Sequence, residues 1–536
     1  MSTDTGTIAA GSALAPFRQR AFAWLWLGVV VASVGMWAQT VGAQWLFVDE
    51  PNAATIVTLV QTATQLPVVL LALPAGVLSD AFDRRWLMFA TQAYVIVVAV
   101  VMAVLAGAGR MTPGLMLALM FAAGAGLAFQ VPTWQPLIAE LVPRSQLAAA
   151  TRLDMVSVNV ARAAGPAIAG LIIAAWGVPP VFGFTALCAA VLATVLLAWR
   201  RPAQLAGNRE RFLPALRAGG RYVRHEPVVR LILARLAMFV APAAALWALL
   251  PLIASQQLGL QAGGYGLLFA ALGTGAVLGA LTLGRVTAHL SSNAMLTSVG
   301  LAYAAALAGT MLAPGLVVAI PLLVVAGYGW TATVSTVNAE LQLFLPHWVR
   351  ARAIAVYLMS FLGTMALASP LWGLLTQHTG LTTAVNTSAA LVAVGAVAGL
   401  AVRIPESEAA DRAALEYWND PSLGIAPEPD AGPVQVIVEY HVPPEHEIDW
   451  LAAMQDMRRS RLRSGAFRWE LYRIGERPDR FLEIFAIPSW AEHERQHQHR
   501  LSAQDQAIEE AAFAYTTSTP SAEHLLPPQP SADLTL

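Results

Sequence analysis

Residues 76–107, GVLSDAFDRRWLMFATQAYVIVVAVVMAVLAG, hold a short charged turn followed by a stretch, 86–107, that carries no charge at all. A bilayer's hydrocarbon core is about 30 Å thick and takes roughly 20 helical residues to cross, so 86–107 reads as a membrane span. The whole chain asks for the same solvent: 57% of its 536 residues are hydrophobic and 12% charged, whereas soluble domains carry about a quarter charged residues. Working outward from 86–107, apolar stretches of spanning length run over 22–48, 54–78, 113–140, 151–175, 179–199, 229–257, 264–288, 293–312, 315–341, 351–377 and 381–402. Together these make twelve predicted transmembrane helices, an all-α polytopic membrane protein with the membrane's lipid as a partner. Residues 1–16 are polar and lack the basic-then-apolar order of a signal peptide, so the first span is expected to stay in place.

Arginine placement orients the spans, because short cytoplasmic loops retain cations. One side holds Arg18, Arg20, Arg84, Arg85, Arg144, the 200–230 segment, Arg350, Arg352 and Arg403, and the other holds Arg110. Both termini are therefore expected in the cytoplasm, of a bacterial inner membrane on this reading. The predicted organisation is a cytoplasmic N-terminus 1–21, a six-helix half 22–199, a cytoplasmic linker 200–228, a second half 229–402, a linker 403–432, a soluble α+β domain 433–525 and a disordered tail 526–536. Pro143, Pro166, Gly170 and Gly177 recur as Pro346, Pro370, Gly373 and Gly380 at an offset near two hundred residues, which points to a parallel duplication. Two such halves enclose a cavity at the bilayer midplane and rock around it.

All the cations are Arg, and the net charge is −1, which argues against a nucleic-acid partner: phosphate binding needs a concentrated cationic field. The single cysteine, Cys188, lies in an apolar run and reads as a small buried hydrophobe. No cofactor is expected.

The turn GVLSDAFDRR, residues 76–85, resembles the cytoplasmic loop signature of the major facilitator superfamily. Gly76 permits close helix approach, Asp80 can accept from exposed N–H groups at another helix's start, and Arg84 and Arg85 stay in the cytoplasm. The resemblance implies that Asp80 docks on the eleventh span, near Arg350, as a latch. Asp83 stands where the family usually has Gly, a local departure in the turn. In span five, ARAAGPAIAG supplies Gly165, Pro166 and Gly170, similar to a truncated form of the family's antiporter motif; the same residues also suit a proline-kinked packing face with no directional meaning. The family's proton-driven exporters usually carry an Arg within span four. MLALMFAAGAGLAF has none, so coupling through that residue is excluded and Asp154 or Glu340 would have to replace it.

Arg162 lies about 16 Å from the cytoplasmic start of span five at 1.5 Å per residue. A charge at that depth costs at least about 2.5 kcal/mol, so Arg162 is expected to face the cavity or a partner and is the leading candidate for an anionic-substrate contact. Asp154 is shallower and could simply reach cytoplasmic water. Glu140 and Glu340 end spans four and ten as pseudo-equivalent acids, and helix-end snorkelling competes with a proton-carrying role for all three. Arg235 and Arg285 are expected to reach the cytoplasmic surface. Gln39, Gln44, Gln130, Trp134, Trp247, Trp330 and Asn338 are cavity-lining candidates, with Trp134 and Asn338 favoured. An aromatic and amide lining suits bulky amphipathic molecules better than sugars.

Beyond Arg403 the composition turns polar. VQVIVEYHV alternates Val434, Val436, Val438 and Tyr440 on one strand face. Residues 443–464 read as a helix with Ile448, Leu451 and Met454 inward, AFRWELYRI and RFLEIFAI as a hairpin turning at GERPD, and 490–513 as one charged helix. That β-α-β-β-α order is typical of a ferredoxin-like sheet. His493, His497 and His499 sit among Glu, Arg and Gln, so a solvated helix face is expected and no metal site. The segment RSGAFRWELYRIGERPDRFLEIFAIPSWAEHERQHQH, with spans seven and eight, resembles bacterial transmembrane secretion effectors, a subgroup that includes relatives of siderophore and macrolide exporters. The tail resembles a dimeric α/β-barrel monooxygenase-like fold. The resemblance implies a secondary transporter that exports a small amphipathic molecule, with protons as the coupling ion. The alternative is a membrane-tethered enzyme whose tail modifies a small molecule; a dimerisation or regulatory tail ranks ahead of a catalytic one.

Overall fold

The computed structural model describes residues 14–200, 212–287, 289–405, 415–418 and 423–528. The expectations for residues 1–13, for Arg201, Arg209 and Arg211 in the linker, and for the 529–536 tail lie outside the described residues.

Six helices form the first half: α1 (Arg20–Trp45), α2 (Ala53–Ala81), α3 (Arg84–Gly107), α4 (Pro113–Leu141), α5 (Leu147–Trp176) and α6 (Pro179–Ala198). After α7 (Phe212–His225) come α8 (Pro227–Leu252), α9 (Ala262–Thr287), α10 (Ser292–Thr310), α11 (Leu316–Phe344), α12 (His347–Thr379) and α13 (Leu381–Ala401). Each predicted span coincides with a helix, and eleven of them are long and apolar enough to cross a membrane. The exception is α10, 19 residues long, which opens on Ser292 and Asn293 and carries Thr297 and Ser298. In the linker the structure adds a helix that the sequence reading did not expect: α7 is amphipathic, with Tyr222 and Val223 buried.

Local chemistry sets the helix ends. Asp83 caps α3, its carboxylate accepting from the backbone N–H of Arg85 at 2.8 Å and of Trp86 at 3.4 Å. Thr112 caps α4 with Pro113 in the first helical turn, and Ser291 caps α10.

The chain divides into two compact units: one of residues up to 208 with 235–337 and 358–403, the other of 209–234, 338–357 and 404–536. Within the first, the predicted duplication is visible in backbone detail. Gly177 and Gly380 both have positive φ, 82° and 88°, one ending α5 and the other separating α12 from α13. Pro166 and Pro370 both interrupt a long helix. Gly170 and Gly373 both lie where helices of opposite halves touch. A β-carbon on Gly170 would stand 2.9 Å from the Ala262 carbonyl oxygen and 3.0 Å from the Gly266 Cα of α9, and one on Gly373 would stand 2.7 Å from the Ala54 carbonyl oxygen of α2. Beside the second contact, at the helix ends remote from Arg84, Thr55 donates to the Gln377 side-chain carbonyl at 2.5 Å and Gln377 donates to Asn52 at 2.9 Å.

In the second unit, the C-terminal sheet has the order β2-β3-β1-β4, all antiparallel: β1 (Val434–His441), β2 (Arg468–Ile474), β3 (Arg477–Ile487) and β4 (Ser521–Leu525). With α14 (Glu447–Ser464), α15 (Trp490–Arg495) and α16 (Ala503–Phe513) it is a β-α-β-β-α-β arrangement. The edge strand β4 went unread because its SAEHL sequence lacks the β-branched alternation that marks strands. The inward face of β1 is the predicted one, Val434, Val436, Val438 and Tyr440. The inward face of α14 differs: Trp450, Met454 and Met457 are buried whereas Ile448 is 83% exposed, because seating the indole buries more apolar surface than seating the isoleucine. The single helix expected over 490–513 is two, since Ser502 and Asp505 form a reciprocal capping box that starts α16 afresh.

The sheet domain is joined to the rest of its unit through α7 and the start of α12. Arg463 donates to Glu226 at 2.7 Å and to Asp505 at 2.6 Å. The Arg500 guanidinium sits 4.9 Å above the Trp348 ring, which meets Tyr222 of α7 edge-on.

Candidate functional site

Arg162 emerges from α5 one turn before Pro166 and lies between two indoles, 5.5 Å from the Trp37 ring of α1 and 5.7 Å from the Trp247 ring of α8. Among the described residues it makes no hydrogen bond or ion pair, and its Nε is buried without a partner. Faces of aromatic rings are the weak counter-charge that a cation accepts when no carboxylate is in reach. The two tryptophans belong to a wider cluster: Trp247 packs on Phe269 at 5.5 Å and on Trp330 at 5.1 Å, and Trp330 meets Phe361 at 5.9 Å. These rings come from α1 in one half and α8, α9, α11 and α12 in the other. The indole N–H of Trp247 and the hydroxyls of Thr331, Thr333 and Thr336 on α11 are buried without hydrogen-bond partners among the described residues. Such groups lose their water at a cost of about 1–3 kcal/mol each, unless a ligand or solvent supplies the missing bond. Sequence reading named Trp247 and Trp330 but not Trp37, Phe269 or Phe361. Trp37 and Gln44 are seven residues apart, two turns along one helix face, and that spacing was the signal available.

The amides resolve differently. Gln44 accepts from the Tyr265 hydroxyl at 2.7 Å, joining α1 to α9, and Tyr265 stacks on Trp45. Gln130 accepts from Gln92 at 3.2 Å, a pairing of α4 with α3. Gln39 is buried against Met120.

Asp154 does not reach water: it is buried, accepting from the Trp134 indole at 2.7 Å and from the Gln135 amide at 2.9 Å. The same bond takes Trp134 out of any open cavity, since the ring is packed with Leu137 and Ile138 in the core of the first half. Neutral donors and no cation, among the described residues, hold the Asp154 carboxylate. Arg235 likewise is buried where the surface was expected, beside a cavity of about 30 Å³ lined by Thr333 and Val337.

In the loop, Gly76 is buried on α2 and its carbonyl accepts from Ser79. Arg84 pairs with Glu140 at 2.5 Å, so Glu140 is an ion-pair partner of the signature turn. Arg85 donates to the carbonyls of Leu196 and Leu197 at 2.7 and 2.8 Å, at the end of α6, where carbonyls lack helical partners. The Asp80 side chain lies outside the described residues. Gly165 packs on α1, 2.7 Å separating its would-be β-carbon from the Val34 carbonyl oxygen. With Gly170 on α9, the motif's two glycines face two different helices. Asn338 accepts from Gln342 at 2.8 Å and Glu340 is 9% exposed, both in the second unit.

That unit has a charged core of its own. Arg461 is buried between Glu483, at 3.2 Å, and Glu509, while Tyr440 and Trp469 each donate to Glu483 at 2.7 Å. Burial, then the Glu483 charge, push the Tyr440 hydroxyl well above the usual tyrosine range. The histidines depart from the solvated face expected of them. His493 is 1% exposed, and burial, followed by the neighbouring His497 and His524, pushes its imidazole down to about 3. His499 is exposed, as the sequence suggested.

Comparison with known proteins matches these features to one group. A family profile described as transmembrane secretion effector covers residues 11–529. The Staphyloferrin A transporter of Staphylococcus aureus (strain NCTC 8325 / PS 47) is 26% identical over 157 residues, which is 29% of this chain and 39% of that relative, so the match spans about two-fifths of the relative's length. Among solved structures, a bacterial homologue of the human lysosomal transporter Spinster, inward-facing and unoccupied, superposes with a TM-score of 0.56 at 15% identity, covering 72% of this chain and 95% of that one. The nucleoside transporter NupG gives 0.58 at 14%, covering 70% and 99%. A POT family transporter gives 0.58 at 12%, covering 72% and 97%. Those structures share the helical fold. With two pseudo-symmetric sets of helices, a signature turn after the second and a family profile spanning nearly the whole sequence, the chain belongs to the transmembrane secretion effector family of multi-pass major facilitator secondary transporters.

Proposed function

We propose that the protein exports a small amphipathic molecule carrying an anionic group, such as a siderophore, an antibiotic or another drug-like compound, by alternating access coupled to protons. It does so from the bacterial cytoplasmic membrane with both termini inside, an orientation supported by the arginine asymmetry of the loops. The carrying observation is Arg162, a cation among aromatic rings contributed by both halves and lacking a carboxylate among the described residues. An anionic group would complete its coordination, while the Trp37, Trp247 and Trp330 rings take up a planar apolar body. The buried N–H and hydroxyls of Trp247 and α11 supply the few polar contacts that orient a ligand. The S. aureus relative, named a Staphyloferrin A transporter, supports the siderophore class.

Rocking follows from the way the halves meet. Small residues form the α5–α9 contact, a surface that can slide with little interdigitation to undo, whereas the α2–α12 contact adds hydrogen bonds from Thr55, Thr62 and Gln377 that must break as the halves part. Asp154 is the proton carrier of this reading. Protonating it removes a buried charge without stranding a cation, and its helix is the one that carries Arg162. Purified protein in liposomes, loaded with candidate anionic siderophores or antibiotics under an imposed pH gradient, tests the proposal. Gradient-driven transport that Arg162→Ala abolishes is the expected result; transport indifferent to Arg162 would refute it.

A further inference from the structure

We propose that His493, His497 and His524 form a binding site for one divalent transition metal of the zinc class, which staples the edge strand of the C-terminal sheet to the helix beside it. His493 is on α15, His497 one turn later in the π-helical turn Gln496–Arg500, and His524 on β4, which pairs with β1 through Val436. One ligand nitrogen from each lies within 4.8 Å of the others. The rings of His497 and His524 stand 4.5 and 4.8 Å from that of His493.

Three observations distinguish this trio from imidazoles merely packed together. The first is orientation. Nδ1 of buried His493 faces the Gln496 side-chain oxygen at 3.4 Å, and the Gln496 amide in turn donates to the Ser464 hydroxyl at 2.8 Å. An amide oxygen only accepts, so Nδ1 carries the proton and Nε2 presents its lone pair. Metal-binding histidines are commonly fixed by such a partner on the second nitrogen. The second is that this Nε2 has no hydrogen-bond partner among the described residues, although the side chain is 1% exposed. Packing alone leaves that acceptor unpaid at about 1–3 kcal/mol, whereas a metal uses it. The third is the surroundings: Trp490 lies 5.3 Å from His493 and Trp418 lies 4.6 Å from His497, an apolar shell that lowers competition from water.

The donor set selects the metal. Three neutral imidazoles without an oxygen or thiolate ligand suit zinc, cobalt, nickel or copper and not magnesium or calcium. Zinc–nitrogen bonds of about 2.0–2.1 Å in a tetrahedron bring the nitrogens to about 3.4 Å of one another. His497 and His524 are only half-buried, and side-chain rotation at those two positions closes the remaining gap. A fourth position is left to water or to a small ligand.

The test uses the full chain in detergent, without an oligohistidine tag, stripped with EDTA and titrated with zinc against a chromophoric competitor. One equivalent per chain is expected, weakened by about a hundredfold in His524→Ala and in His497→Ala, consistent with losing one of three ligands. His499→Ala should bind like the wild type. Cobalt should give the visible bands of a four-coordinate nitrogen site. Should a variant fail to fold, the wild type still decides: zinc must slow amide exchange in 521–525. Absence of stoichiometric binding, equal affinity in His524→Ala, or no change in that exchange would each overturn the site.

Discussion

The Arg463 guanidinium reaches back 237 residues to the Glu226 carboxylate at 2.7 Å, with both side chains nearly sealed from solvent. Glu226 lies between α7 and α8, so the pair ties the C-terminal sheet domain to the segment connecting the two six-helix halves. Asp505 accepts from the same guanidinium, so neither acid alone satisfies it. Removing one partner of a buried pair costs about 3–5 kcal/mol, and Glu226→Gln should fall below that range because Asp505 remains. A double-mutant cycle with Arg463→Gln, read by urea denaturation of the full chain in detergent, should return a coupling above about 1 kcal/mol. Additive single effects would show that the pair is not an energetic tie.

Arg162→Ala should weaken binding of an anionic substrate by roughly tenfold to a hundredfold, the worth of one charge-assisted hydrogen bond of about 1.5–3 kcal/mol. Arg162→Lys should recover part of this, because the charge stays over the rings while the guanidinium fork is lost. Quenching of intrinsic tryptophan fluorescence on titration with the substrate follows both, with Trp37 and Trp247 as reporters.

Gly170→Ala and Gly373→Ala should each destabilise the membrane unit by about 1–3 kcal/mol, as overpacking does. The new methyl meets backbone at Gly170, the Ala262 carbonyl oxygen at 2.9 Å, and at Gly373 it meets the Thr58 hydroxyl as well as the Ala54 carbonyl oxygen at 2.7 Å. Gly183→Ala, with nothing within 4 Å, is the control and should melt like the wild type. Thermal melting in detergent distinguishes them.

Acid should act on the second unit through Asp505. Burial by itself would raise this carboxyl, but the Arg463 charge and the bonds from Ser460, Arg463 and Ser502 outweigh it and hold it below its ordinary value of 3.8. A group depressed in the folded state adds stability above its unfolded value, and that stability drains away as pH falls through the folded value. The melting temperature should therefore keep this contribution from pH 7 to about 4 and lose it below. Asp505→Asn should melt lower at pH 7 and lack that acid-dependent loss.

Trp450→Ala should cost about 3–5 kcal/mol in the sheet domain, whereas Ile448→Ala on the same helix should change little. The first side chain is fully buried and the second 83% exposed. Proteolytic susceptibility of the domain ranks the two.

The spans were legible because burying a backbone in lipid leaves helices as the economical solution, and lipid-length apolar stretches such as 86–107 have few other uses. The duplication was legible for a related reason: Gly177 and Gly380 need positive φ and Gly170 and Gly373 need a missing β-carbon, so the demand is written in residue identity. In the C-terminal sheet domain, β1 was read correctly from strict alternation. The face of α14 was misread because Ile448 and Trp450 compete for the core two residues apart, and pattern alone does not weigh their sizes.

Sequence alone determined which segments are helical and apolar, and that Arg162 is a charge too costly to leave facing lipid. Tertiary structure decided what surrounds each charge. Arg162 lies between indoles from two different helices, Asp154 under Trp134, and His524 beside histidines that precede it by some thirty residues. Periodicity reports the solvent a segment prefers along its own axis, whereas a partner's identity depends on how separate elements close over one another, which no local pattern encodes.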